Sequence, residues 1–198
     1  AVGMSEGQRC EIERRIARRL ARLRAERVLR YYGDVARRFR QAIGERLMTR
    51  AHERARHMVF VGKPGTAKTT IARLLSRIYK QLGVLEKGHV VEVDRSDLVG
   101  AGVGSTAPMT AAKFREALGG VLFVDEAYAL VPPNSPGDFG HEAVATLLKM
   151  MEDHRDDCVV IVAGYHREMQ RFMESNTGLA SRFPKMLAFS EYNDDQLV

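Results

Sequence analysis

The segment Gly62-Lys63-Pro64-Gly65-Thr66-Ala67-Lys68-Thr69 sets glycine, lysine and threonine in the order that wraps a phosphate chain. It follows an apolar run and opens a strongly periodic helical stretch. In that setting the backbone N–H groups of the loop and helix start surround phosphate oxygens, the Lys68 amine reaches the β and γ oxygens, and the Thr69 hydroxyl holds Mg²⁺. Gly62, Lys63, Pro64, Gly65, Thr66, Ala67, Lys68, Thr69 and Thr70 therefore form the candidate nucleotide-binding set. The strict spacing G-x-x-x-x-G-K-[ST] is broken once, because Ala67 stands where the second glycine belongs. If the loop needs a positive φ there, alanine costs about 1–2 kcal/mol; if φ is negative, the methyl group only has to find room.

Some sixty residues later, Val121-Leu122-Phe123-Val124-Asp125-Glu126 is an apolar run that ends in two adjacent acids. An aspartate at the carboxyl end of a buried strand is placed to hold the metal, so Asp125 joins Thr69 as a metal ligand. Glu126 can orient and deprotonate an attacking water. Burying two acids at a strand end for purely structural reasons would be expensive.

These residues must be carried by a sheet. After His57, short apolar runs alternate with helical patterns: HMVFVG, KTTIARLLSRIYKQL, HVVEV, TAAKFREAL, VLFVDEA, HEAVATLLKMM, CVVIVAG, REMQRFM and KMLAFS. Apolar strands separated by helices specify a parallel sheet covered on both faces, a three-layer α/β domain with about five strands. The irregular stretch VPPNSPGDFG, residues 131–140, follows a strand where a functional loop is expected. Residues 1–56 differ in texture. From Glu11 to Arg56 there is no proline, and Ile12, Ile16, Leu20 and Leu23 recur at helical spacing, which predicts basic amphipathic helices. The chain thus divides into a basic helical segment, 1–56, and an α/β domain, 57–198.

The 198 residues, 45% hydrophobic and 28% charged, exclude wholesale disorder and collagen-like or mucin-like classes. Residues 9–56 carry sixteen arginines against six acids, a net of +10, whereas 57–198 carry fifteen bases and eighteen acids, a net of −3. The basic segment could bind nucleic acid through phosphate contacts. A solvated helix face is the favoured reading, since arginine outnumbers lysine 24 to 7 throughout. Two cysteines, Cys10 and Cys158, build no disulfide framework, the histidines show no metal-ligand spacing, and no apolar run is long enough to span a bilayer. A cytoplasmic setting without membrane insertion is expected. Met150, Met151, Leu147 and Leu148 fit a buried helix face, and Cys158 an inert buried thiol.

GKPGTAKTTIARLL, GHVVEVDRSDLVG, GGVLFVDEAYALV, FGHEAVATLLKMMEDHRDDCVVIVAGY and ESNTGLASRFP together resemble the AAA+ ATPases of the CbxX/CfqX group, from about His57 onward. The group includes red-type Rubisco activases, a sporulation protein and type VII secretion ATPases. The resemblance implies the large α/β subdomain of a P-loop NTPase that binds and hydrolyses ATP with Mg²⁺ in a hexameric ring and acts on a protein client. It makes Lys68 and Thr69 the Walker A residues and Asp125 and Glu126 the Walker B pair. It also makes Arg182, in GLASRF, an arginine finger acting on the neighbouring subunit, so that Glu126, Lys68 and Arg182 form the catalytic set. Two departures stand out. Gly102, in LVGAGVG, occupies the aromatic position of the family's first pore loop, and the chain stops where the family's helical lid should begin, so the lid is expected to be missing or truncated. Three functions follow: an ATP-driven remodeller of a protein partner, a nucleotide-gated scaffold with weak or no hydrolysis, or a nucleic-acid-associated module using the N-terminal helices.

Overall fold

The structure is a computed structural model and describes residues 57–81, 83–133 and 137–189. The basic segment 1–56, and residues 190–198 where the lid was expected to begin, lie outside the described residues.

Five short strands form one parallel sheet: β1 (Met58–Val61), β2 (Val90–Val93), β3 (Val121–Val124), β4 (Val159–Gly164) and β5 (Lys185–Ala188), in the order β2-β3-β4-β1-β5. β1, β3 and β4 are buried along their whole length, as near-continuous apolar runs must be when helices cover both faces. The edge strands alternate or thin out: β5 runs half-buried then exposed, with Met186 exposed on it. Val61 stands beside Gly164 and Val124 beside Val162, so β4 reaches two residues beyond the level of β3. The chain leaves β1 for the far edge β2, returns through β3 and β4, and then crosses to the opposite side of β1 for β5. Because all strands are parallel, the loops after β1, β3 and β4 open on one edge, where doubly wound sheets bind their ligands.

The helices are α1 (Lys68–Gln81), α2 (Arg95–Leu98), α3 (Thr106–Glu116), α4 (Gly140–Asp153), α5 (His166–Glu174) and α6 (Thr177–Arg182). α1 buries Ile71, Ala72, Leu75, Ile78 and Tyr79 at helical spacing. α4 buries Ala143, Val144, Leu147, Leu148, Met150 and Met151, and Cys158 is buried just before β4, its thiol pushed up to about 12 by desolvation. The core positions read from the sequence for Leu147, Leu148, Met150, Met151 and Cys158 are therefore occupied as expected.

Two elements have no counterpart in the sequence reading. α2 is a single turn held by a capping box: Asp94 accepts from the Ser96 N–H, and Asp97 accepts from the Asp94 N–H. A 3₁₀ turn, Ala127–Leu130, follows the acid pair at the end of β3. α3 also begins four residues before the TAAKFREAL pattern starts. Its buried positions are Thr106, Thr110 and Phe114, with the Thr110 hydroxyl donating to the Leu98 carbonyl at 2.8 Å and Thr106 accepting from the Gly100 N–H at 3.1 Å.

Candidate functional site

The loop after β1 is anchored at its first residue. The Gly62 N–H donates to the Gly164 carbonyl of β4 at 3.1 Å, and a Cβ at Gly62 would lie 2.6 Å from the Phe189 carbonyl oxygen. No side chain fits there without moving backbone. Further on, the loop turns through two positive-φ residues, Gly65 at 76° and Ala67 at 63°. The question left open by the sequence is answered by that angle: Ala67 adopts the left-handed conformation for which glycine is the usual choice, at a cost of about 1–2 kcal/mol. The conformation persists because its neighbours hold it. The buried Thr66 hydroxyl donates to the Lys63 carbonyl at 2.8 Å, and the buried Lys68 ammonium donates to the Gly62 and Lys63 carbonyls, both at 2.9 Å.

This arrangement suits a phosphate. Two of the three Lys68 donors are used by loop carbonyls, and among the described residues no ion pair neutralises its charge. The first bond into α1 runs from the Ile71 N–H to the Ala67 carbonyl, so the N–H groups of Lys68, Thr69 and Thr70 have no partner within the helix. A buried cation beside a row of helix-start donors is an anion site by construction.

β3 delivers the acids. The Asp125 N–H donates to the Val93 carbonyl at 2.9 Å, and its carboxylate accepts the Glu126 N–H at 3.1 Å. Glu126 lies in the left-handed region, at φ 49° and ψ 41°, a conformation that costs a non-glycine residue on the order of 1–3 kcal/mol and clusters at functional sites. Burial, first of all, holds its carboxyl above the ordinary carboxylate range; the negative charges of Asp125 and Glu168 act in the same direction and the Lys68 cation opposes them. Lys68, Asp125 and Glu126 thus share one electrostatic neighbourhood, drawn together from residues 57 positions apart. Among the described residues no group of three or more His, Cys, Asp or Glu could hold a metal ion alone. Mg²⁺ does not need one: it is usually held by one or two protein oxygens with phosphate and water, and Thr69 and Asp125 offer such oxygens.

Arg182 closes α6, as the sequence places it, and its contacts are elsewhere. One guanidinium nitrogen donates to the Gly178 carbonyl at 3.5 Å, another lies 3.8 Å from the Glu152 carboxylate of α4, and Nε is buried with no partner. The structure therefore brings Lys68, Asp125 and Glu126 together, whereas the contacts of Arg182 are with Gly178 and Glu152. Gly102 has open space around it, and beside it Val103 is 92% exposed.

Four residues were not marked by the sequence reading. The Tyr128 hydroxyl donates to the Glu126 carboxylate. Gly164 gives the Tyr128 ring its room, since a Cβ there would lie 2.8 Å from Tyr128 Cδ1. The ion pair of Arg95 with Asp138, at 2.6 Å, ties the loop of residues 131–140 to the start of α2, and Arg95 also donates to the Ala129 carbonyl at 2.7 Å. The aromatic two residues after the acid pair is the one visible signal in the sequence; the exposed Tyr165 has its ring 6.1 Å from that of Tyr128.

A parallel sheet with a glycine-lysine loop after β1 and an acid pair after β3, two strands away, defines a P-loop nucleoside-triphosphate-binding domain. Within that class the chain belongs to the AAA family, described as the ATPase family associated with various cellular activities, whose match covers residues 58–191. It is similar to Protein CfxQ of Xanthobacter flavus, 45% identical over 172 residues, covering 83% of this chain and 54% of that protein. It is also similar to the chloroplastic ribulose bisphosphate carboxylase/oxygenase activase of Cyanidioschyzon merolae, 49% identical over 142 residues, covering 72% of this chain and 48% of that protein. The chain spans about half the length of these relatives. The FIGL-1 AAA domain, solved in complex with ADP, shares the fold with a TM-score of 0.51 at 20% identity, over 71% of this chain and 45% of that one.

Proposed function

We propose that this protein binds Mg-ATP, hydrolyses it to ADP and phosphate, and couples the reaction to the remodelling of a protein partner within a homo-oligomeric ring. The observation that carries the reading is the shared environment of Lys68, Asp125 and Glu126, a phosphate-binding cation, a metal ligand and a base at one sheet edge. Lys68 and the helix-start N–H groups bind the β and γ phosphates, Thr69 and Asp125 hold Mg²⁺, and Glu126 orients the attacking water. Mg²⁺, when bound, neutralises charge on the transferred phosphoryl group. Arg182 stabilises that charge on the neighbouring subunit; within its own chain its contacts are with Gly178 and Glu152. The similarity to an activase supports a protein client. The exposed Val103, at the tip of the loop before α3, offers an apolar contact even though Gly102 offers none.

The left-handed Ala67 favours a second reading, a nucleotide-gated scaffold with weak or no hydrolysis. Steady-state phosphate release across a protein concentration series separates the two. The motor predicts turnover per subunit that rises with concentration and is abolished by Glu126→Gln, with nucleotide binding retained. Oligomers that form on ATP with negligible phosphate release would select the scaffold. The nucleic-acid reading rests on residues 1–56; it requires affinity that falls steeply with salt and vanishes on their deletion, and binding that survives the deletion removes its basis.

A further inference from the structure

Glu126 has a carboxylate on a strained backbone and must present it to a water in one orientation. The acid pair itself does not supply that orientation, because the Asp125 carboxylate is engaged with the Glu126 backbone N–H rather than with its side chain. The partner is Tyr128, whose hydroxyl donates to Oε2 of Glu126 across the first turn of the 3₁₀ segment. A tyrosine can aim a carboxylate only if its own ring is fixed. Here the ring lies against the backbone of Gly164 at the end of β4, where an added Cβ would come within 2.8 and 2.9 Å of Tyr128 Cδ1 and Cε1 and 2.9 Å of Met169 Sδ. The neighbouring Tyr165 ring lies 6.1 Å away, centroid to centroid. Buried Gly164 also accepts the Gly62 N–H, so one residue sets both the phosphate loop and the tyrosine wall.

We propose that Tyr128 is a positioning residue for Glu126, holding Oε2 so that the other carboxylate oxygen faces the attacking water, and that Gly164 is glycine because the Tyr128 ring needs its space. This rests on Glu126 serving as the base. A carboxylate free to rotate spends most of its time misaimed, and a displacement on the order of 1 Å in a reacting group costs up to about 10²-fold in rate. An effect on the orientation of Glu126 alone leaves ground-state binding of nucleotide unaffected.

The test uses Tyr128→Phe, which keeps the ring and removes only the hydroxyl, with Gly164→Ala and the double variant. Tyr128→Phe is expected to lower kcat roughly 10-fold or more, with KM for ATP and the affinity of a fluorescent non-hydrolysable ATP analogue within about twofold of wild type. Gly164→Ala lowers kcat in the wild-type background and adds little in the Tyr128→Phe background, since both act through the same contact. A readout that needs no turnover is the tyrosine Raman doublet, which reports hydrogen-bond donation. The wild-type minus Tyr128→Phe difference spectrum should show a strong donor, and Glu126→Gln should weaken that signature. An unchanged or raised kcat in Tyr128→Phe, a doublet indifferent to Glu126→Gln, additive effects of the two substitutions, or a loss of analogue binding parallel to the loss of kcat would each overturn the assignment. Persistent turnover in Glu126→Gln would instead overturn the proposed function beneath it.

Discussion

Two residues of the site, Ala67 and Glu126, occupy the left-handed region without being glycine. Their strain is compensated locally. Around Ala67 the Thr66 hydroxyl and Lys68 amine both bond to loop carbonyls, and at Glu126 the chain is held between β3 and the 3₁₀ turn. Ala67→Gly removes about 1–2 kcal/mol of conformational strain and returns about 0.4–1 kcal/mol through the greater freedom of the unfolded chain. A small net gain is expected, a rise in Tm on the order of 2 °C by thermal unfolding; a fall of that size would show that the alanine methyl group packs usefully. At this scale residue type and spacing marked Lys68, Thr69, Asp125 and Glu126 as candidates, and the fold brings Lys68, Asp125 and Glu126 together. The sequence was silent on φ, because the same letters allow either sign at Ala67. It was silent too on Tyr128, because a hydroxyl's partner depends on a ring wedged against Gly164, a residue 36 positions away.

Strands and long helices announce themselves through apolar periodicity, and β1, β3, β4, α1 and α4 were read that way. α3 shows why others were not, since threonine counts as polar in any hydrophobic pattern although Thr106 and Thr110 are fully buried. Thr110→Val keeps the shape and strips the Leu98 carbonyl of its donor. The expected cost is about 1–3 kcal/mol, read as a lower urea midpoint at constant slope; an unchanged midpoint would mean that the carbonyl finds another donor. α2 is short and is fixed by capping and by Arg95, so its stability should depend on acid. Both relevant carboxyls sit below their ordinary value of 3.8: Asp138 chiefly through the Arg95 hydrogen bond, Asp94 chiefly through the Ser96 hydroxyl. A depressed folded-state value contributes stability above the unfolded value and loses it as pH falls through the folded one. Melting curves should therefore show the protein losing stability below about pH 4, with a shallower loss in Asp138→Asn. Identical pH profiles for the two proteins would remove the Arg95 pair from the account.

Across the whole molecule, charge and chemistry are separated: the net +10 lies in residues 9–56, and the site lies in a domain of net −3. Among the described residues no helix is long and apolar enough to cross a membrane. The sheet edge brings Lys68, Asp125 and Glu126 together within one chain, whereas Arg182 bonds back to its own helix and to Glu152. Topology, set by the βα alternation, was legible from the sequence; the contact of Arg182 with Glu152 was not, because it depends on how α6 packs on α4. In the function we propose, a complete site needs two subunits, one giving Lys68, Asp125 and Glu126 and the other Arg182. The most direct measurement is phosphate release by Glu126→Gln and Arg182→Ala subunits, each alone and then co-expressed. Each alone should be inactive, with losses of about 10³-fold or more for the arginine. Together they should recover part of the wild-type rate, because an intact Glu126 on one subunit can meet an intact Arg182 on the next. Full activity of Arg182→Ala alone, or no recovery at any ratio of the two, would contradict a site shared between subunits.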